Sequence, residues 1–173
     1  MRMRILFVCT GNTCRSPMAE GLFRRLARES ELDVDVRSAG VAAIPGADFA
    51  DNAVTVLKER EALFEGSATA VSPEIMAWAD IVLVMTAQHK QSLSARFTEH
   101  AGKIHLLKEY VNENERERRQ SQNADRPKEN GEAPASNDIT DPVGGTLDDY
   151  RHCADELESL LRRLVARLKA QGT

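Results

Sequence analysis

Apolar positions open the chain as one short block, Ile5-Leu6-Phe7-Val8, which follows Arg4 and stops at Thr10-Gly11. A run this short, closed by a loop signal, reads as a buried strand over residues 4–8. Ser16-Pro17 then supplies a cap and a first-turn proline, and Met18, Leu22, Phe23 and Leu26 recur at helical spacing. Residues 33–37 alternate, with Val34 and Val36 on one face, and run into Ser38-Ala39-Gly40. Ala50, Ala53, Val54 and Leu57 mark an amphipathic helix, and Ser72-Pro73-Glu74 opens a short one that ends near Trp78. Residues 81–85 form the most strand-like run, 87–97 read as a helix, and 104–107 as a fourth strand. Thr146 with Asp149 three positions on is a capping signature. It opens a long stripe of Leu147, Tyr150, Leu157, Leu160, Leu161, Leu164 and Leu168. Strand alternating with helix predicts an α/β fold, one parallel sheet covered on both faces, in a single domain over residues 1–173.

One stretch breaks this pattern. Residues 112–137 contain no Val, Ile, Leu, Met, Phe, Trp or Tyr, and carry six acidic against five basic side chains. Such a segment buries too little surface to offset its ordering entropy, so it is expected to be a mobile polar insertion, with room for a charge-paired helical turn over 113–122.

Composition narrows the function classes. The chain has 173 residues, is 42% hydrophobic and 29% charged, and carries a formal net charge of −4. It is the size of one domain, too polar for a membrane protein, and without the basic excess of a general nucleic-acid binder. Two arginines near the N-terminus precede the first apolar run, but that run is too short for a secretory signal, so a cytoplasmic location is expected. Three cysteines, Cys9, Cys14 and Cys153, are an odd number and argue against a disulfide framework; two of them lie five apart in one loop, which points to reactivity. His89, His100, His105 and His152 show no metal-binding spacing and read as surface or helix-end residues, Trp78 as packing, and Cys153 as inert.

The loop between the first strand and first helix is Cys9-Thr10-Gly11-Asn12-Thr13-Cys14-Arg15-Ser16. A loop of this length curls its amide N–H groups inward, with Gly11 and Asn12 tolerating left-handed backbone, and the helix N-terminus adds partial positive charge. A phosphate fits there, with Arg15 offering a planar fork to two of its oxygens. The same field stabilises a thiolate at Cys9, and Ser16 adds a hydroxyl hydrogen bond to the sulfur. A thiolate beneath a bound phosphate is a nucleophile for phosphoryl transfer. A small buried cysteine at a strand end is the plainer alternative; the position between strand and helix argues against it.

The run CTGNTCRSPMAE, Cys9 to Glu20, closely resembles the signature of low-molecular-weight protein phosphatases, especially their bacterial protein-arginine phosphatase branch. Ser38-Ala39-Gly40 after the second strand, the strand over 79–85, and Asp141-Pro142 before the last helix match as well. The resemblance implies a four-stranded parallel sheet flanked by helices, a phosphocysteine intermediate, and no cofactor or metal. It implies Cys9 as nucleophile, Arg15 as phosphate clamp and Asp141 as general acid. Thr10, Gly11, Asn12, Thr13, Cys14, Arg15 and Ser16 form the phosphate and substrate loop, supported by Asn12 and Ser38. One carboxyl can protonate the leaving group and then deprotonate the attacking water. A plain turn is the ordinary use of Asp-Pro, and Asp138 is the other candidate for the acid. Cys14 is either a loop filler or the partner that traps Cys9 as a reversible disulfide.

The chain departs from the pattern in one place. Many relatives carry a histidine after the position of Leu63 that braces the loop asparagine, where this chain reads Glu65-Gly66-Ser67-Ala68. Substrate choice also leaves traces. Tyrosine-directed relatives usually have an aliphatic residue at the position of Thr13, and two aromatics after Asp-Pro that wall a slot for a phenyl ring. Here Val143-Gly144-Gly145 follows, and Thr13 is polar and β-branched. Both features resemble the arginine-phosphatase pattern, whose partners are phosphorylated proteins bearing phosphoarginine, as counterpart of a protein-arginine kinase, with no nucleic acid or membrane and a monomeric chain expected. The rivals are a low-molecular-weight protein-tyrosine phosphatase, an arsenate reductase, and a non-catalytic phosphoprotein-binding module. An arsenate reductase coupled to thioredoxin needs a further cysteine pair, and none lies between Cys14 and Cys153.

Overall fold

Four strands lie side by side, all parallel, in the spatial order β2-β1-β3-β4: β1 (Met3–Cys9), β2 (Val34–Gly40), β3 (Ile81–Val84) and β4 (Ile104–Leu106). The computed structural model describes residues 2–113 and 136–172. The expected polar insertion therefore lies outside the described residues except at its two ends, and at the first of these residues 112–113 continue a helix.

β1 is central and buried on both sides, which is why its sequence is a continuous apolar run rather than an alternating one. Ile5, Phe7 and Cys9 face one layer, built from α1 (Arg15–Glu29), α2 (Asp51–Glu59), the helical turns over 107–113 (α5) and α6 (Leu147–Ala170). Leu6 and Val8 face the other, built from α3 (Pro73–Trp78) and α4 (Ala87–Arg96). Phe7 meets Phe23 of α1 edge to face at 5.7 Å between ring centroids. The capping box at Thr146 and Asp149 forms as the spacing predicts, and the buried stripe of α6 is extended by Cys153, Ala154 and Val165.

Three local expectations change. Ser16 does not cap α1: the N-cap position is Cys14, without a side-chain cap, and the Ser16 hydroxyl turns to the Cys9 sulfur instead. On α2 the buried face runs through Ala53, Val56 and Leu57, leaving Val54 at its flank, because the helix starts at Asp51 and so sets the stripe. Residues 107–113 are helical directly after β4, so Leu107 belongs to a helix rather than to the strand.

The strand order places the site. From β1 the chain moves outward to β2 on one side and then to β3 on the other, so the switch in direction falls between β1 and β3. At such a switch point, beyond the carboxyl ends of the strands, the flanking loops splay apart and leave a crevice. Cys9 is the last residue of β1 and sits at its mouth.

Candidate active site

The loop from Cys9 to Cys14 is held in place by its neighbours' backbones. The carbonyls of Cys9, Thr10 and Thr13 accept the N–H groups of Val41, Ala42 and Ala50 at 3.0, 2.9 and 2.9 Å. Only Asn12 takes the left-handed conformation, at φ 52°, so the freedom expected of Gly11 is not used. The glycine the loop does require is Gly40, at the end of β2. A Cβ there would lie 2.5 Å from the Thr10 carbonyl oxygen and 2.8 Å from the Asn12 nitrogen, both backbone atoms that yield only if the loop moves. Gly40→Ala should therefore lower stability by about 1–3 kcal/mol through overpacking and cut turnover of an aryl phosphate as the loop shifts. Urea melts and turnover on one preparation check this, and unchanged turnover would show that the loop adapts freely.

Cys9 is buried, and its Sγ lies 2.9 Å from Ser16 Oγ. Asn12 Nδ2 donates to Ser16 Oγ at 2.8 Å, which occupies a lone pair of that hydroxyl and leaves its single proton for a thiolate at Cys9 or, at 3.3 Å, for the Ala39 carbonyl. The distances favour the sulfur. α1 begins just beyond, at Arg15, with no acidic residue in its first turn to compete for its partial positive charge.

Both polar atoms of the Asn12 side chain are satisfied. Its Nδ2 also donates to Ser38 Oγ at 2.9 Å, and its Oδ1 accepts the Thr69 N–H at 2.8 Å. The segment that lacks the histidine of many relatives thus still braces the asparagine, through a backbone amide. Ser38 in turn donates to Glu20 Oε2 at 2.6 Å, and Glu20 pairs with Arg24. Glu20 is buried, and burial pushes its carboxyl pKa up, against the hydrogen bond from Ser38 and the charge of Arg24. Its place in the network went unread in the sequence, although the i, i+4 spacing to Arg24 was a visible signal.

Arg15 is 4% exposed. Its Nη1 donates to the Ile139 carbonyl at 3.1 Å, and its Nη2 to Asp141 Oδ2 at 3.0 Å. Its Nε is buried with no hydrogen-bond partner among the described residues. A buried guanidinium N–H without an acceptor is costly, and an anion in front of it removes that cost. Arg15 lines a cavity of about 210 Å³ together with Cys9, Thr10, Gly11, Thr13, Cys14, Asp141 and Val143. Cys9 and Arg15, from one loop, and Asp141, from the segment before α6, thus meet around one space. Val143, directly after Asp141-Pro142, is 65% exposed. Larger cavities of about 410, 360 and 290 Å³ contain neither Cys9 nor Arg15, although the second adjoins the site through Asp141 and Val143.

Asp138, the other candidate for the acid, does not line this cavity; its Oδ1 accepts the Ala87 N–H at 2.8 Å at the start of α4. Cys14 is buried with its Sγ 3.2 Å from the Tyr150 hydroxyl, and both loop thiols are free. Cys153 is buried in α6, and that burial pushes its thiol up to about 12, far from reactivity at neutral pH. Trp78 is half-buried and stacked under the Arg37 guanidinium at 4.3 Å. The histidines need correction. His89, expected at the surface or at a helix end, does lie in the first turn of α4, but it is 5% exposed and 2.8 Å from Thr10 Oγ1, because that turn points it at the loop. His105 is half-buried on β4 against Tyr110, with ring centroids 4.9 Å apart.

Comparison with known proteins agrees with this geometry. The family model described as low molecular weight phosphotyrosine protein phosphatase matches residues 4–173. The chain is 41% identical over 167 residues to a protein-arginine-phosphatase of Bacillus subtilis, covering 96% of this chain and 97% of that protein. It is 37% identical over 171 residues to the protein-arginine-phosphatase of Geobacillus stearothermophilus, covering 99% of each. Among solved structures, a YwlE mutant from Bacillus subtilis superposes with a TM-score of 0.80 at 41% identity, covering 96% of this chain and 99% of the other.

Proposed function

The chain belongs to the low molecular weight phosphotyrosine protein phosphatase family, and from that premise we propose that it hydrolyses phosphoarginine in proteins, with Cys9, Arg15 and Asp141 as its catalytic residues. The observation that carries the reading is the meeting of these three side chains around the cavity at the end of β1. The choice of phosphoarginine rests on Thr13 in the cavity wall, on Val143 in place of an aromatic wall, and on the protein-arginine-phosphatases to which the chain is similar.

The reaction runs in two displacements. The Cys9 thiolate, steadied by the Ser16 hydroxyl, attacks phosphorus. The P–N bond breaks as Asp141 transfers its proton to the departing guanidine nitrogen, and phosphocysteine remains. A water then attacks the same phosphorus and gives a proton to Asp141, the S–P bond breaks, and inorganic phosphate and the thiolate are released. In both steps the negative oxygens are met by loop amides, the N-terminus of α1 and Arg15. A phosphoryl group seated there competes with Asp141 for the Arg15 Nη2–H, which frees the carboxyl to face the leaving group. Phosphorylated proteins are the substrates. The chain acts as a monomer in the cytoplasm, opposite a protein-arginine kinase, and its three free thiols suit a reducing compartment.

The test is the ratio of kcat/KM for phosphoarginine and phosphotyrosine peptides in the wild type and in Thr13→Ile. Isoleucine keeps the branched carbon and removes the hydroxyl. The expected result is a phosphoarginine preference in the wild type that falls by about ten- to hundredfold in the variant, as one polar contact made in the transition state is lost. The gain for phosphotyrosine should be smaller, because Val143 still leaves the ring without a wall. An unchanged ratio would reduce Thr13 to scaffold, and a wild type that prefers phosphotyrosine would overturn the substrate.

A further inference from the structure

The contact between His89 and Thr10 is not accounted for by the two displacements. His89 lies in the first turn of α4, across the sheet's carboxyl edge from the loop, and its Nε2 is 2.8 Å from Thr10 Oγ1. Its Nδ1 is buried with no hydrogen-bond partner among the described residues. That asymmetry selects a tautomer. A buried N–H without an acceptor is rarer and costlier than an acceptor left short of a donor, so the ring proton belongs on Nε2, and His89 donates to Thr10.

Thr10 Oγ1 faces a second donor, Arg15 Nη2, at 3.4 Å. A hydroxyl has two lone pairs and one proton. With donors approaching from His89 and Arg15, the proton is turned away from both. Thr10 lines the 210 Å³ cavity together with Cys9 and Arg15. We infer that His89 is a positioning residue that holds the Thr10 hydroxyl as a donor to an oxygen of the phosphoryl group bound over Cys9. Thr10 thereby contributes its side chain as well as its backbone to the loop. The inference rests on the phosphatase reading of the cavity.

The surroundings of the ring keep it in the required form. Burial and, next, the positive charge of Arg15 lower the His89 pKa to about 4, against the opposite pull of Asp138 and Asp141. The ring is therefore neutral at pH 7. A neutral imidazole adds no second positive charge that would compete with Arg15, and it has one N–H to give.

The experiment has two arms on the full chain. The first is nitrogen-15 NMR of the His89 ring in the wild type near neutral pH, which distinguishes a protonated from an unprotonated ring nitrogen. Protonated Nε2 with bare Nδ1 is expected, and the reverse tautomer overturns the inference. The second arm measures affinity for inorganic phosphate and kcat/KM on an aryl phosphate for Thr10→Val, Thr10→Ser, His89→Leu, His89→Gln and the Thr10→Val, His89→Leu pair. Thr10→Val and His89→Leu should each weaken phosphate binding by about tenfold, in line with one lost hydrogen bond to a charged acceptor. Thr10→Ser, which keeps the hydroxyl, should recover most of the loss seen in Thr10→Val, and His89→Gln, which keeps a side-chain N–H donor, should recover part of the loss seen in His89→Leu. The double variant should be no worse than Thr10→Val alone, since His89 acts through Thr10. Unchanged phosphate affinity in Thr10→Val, or losses that multiply in the pair, would overturn the assignment. If His89→Leu fails to fold, the ring tautomer and the Thr10 series still decide it. Failure of the phosphatase reading itself would look different, because the wild type would then show no turnover of the aryl phosphate.

Discussion

Cys9→Ser should abolish turnover of phosphoarginine and of aryl phosphates alike, by at least about a thousandfold, because a serine hydroxyl has no thiolate-like anion to offer near neutral pH. The melting temperature and the affinity for inorganic phosphate should stay close to wild type. The reason lies in how little of the site depends on the sulfur. Serine is slightly smaller than cysteine, and the loop is held by the N–H groups of Val41, Ala42 and Ala50 and by Asn12, none of which touches the Cys9 side chain. The cationic side of the pocket, Arg15 and the start of α1, is also untouched. Phosphate binding measured by calorimetry beside turnover separates the two roles. Residual turnover within about tenfold of wild type would remove Cys9 from its place as nucleophile.

Asp141→Asn should give the second large loss, about a hundred- to ten-thousandfold in kcat, the usual scale for removing a positioned general acid. The loss should depend on what departs. A guanidine leaves as a strong base and needs its proton as the P–N bond breaks, so phosphoarginine should show the full loss. An aryl group that departs as a stabilised anion should show much less in the first step. Asparagine preserves the shape of the site, since its carbonyl oxygen can still accept from either the Arg15 Nη2–H or the Val143 N–H, the two bonds that Asp141 makes. Stability should therefore change little. Equal losses on both substrates would mean that Asp141 serves only to hold Arg15, and the acid would have to be sought elsewhere.

Much of this architecture is legible in the chain because local signals and burial agree. The run from Ile5 to Val8 lies in β1 and is fully buried, the capping box at Thr146 opens α6, and Cys9, Arg15 and Ser16 fall at the turn between β1 and α1, as their spacing demands. A loop that must deliver amides, a thiol and a guanidinium to one anion has few sequences open to it, so its chemistry shows without a structure.

Other parts depended on contacts between distant residues. Asp141 and Asp138 are three positions apart and look alike in sequence; only the fold aims one at Arg15 and ties the other to the Ala87 N–H. Gly40 resembles an ordinary strand end until its approach to the Thr10 carbonyl is seen, and His89 resembles a helix-end histidine until α4 packs its first turn against the loop. Ser16 is a plausible cap by pattern, yet its hydroxyl lies 2.9 Å from the Cys9 sulfur instead. Periodicity reports which face of an element is buried, because burial is repeated every turn or every second residue. A single polar contact across the fold is not repeated, so it leaves no period to read, and tertiary packing alone decides which side chains share a proton or a charge.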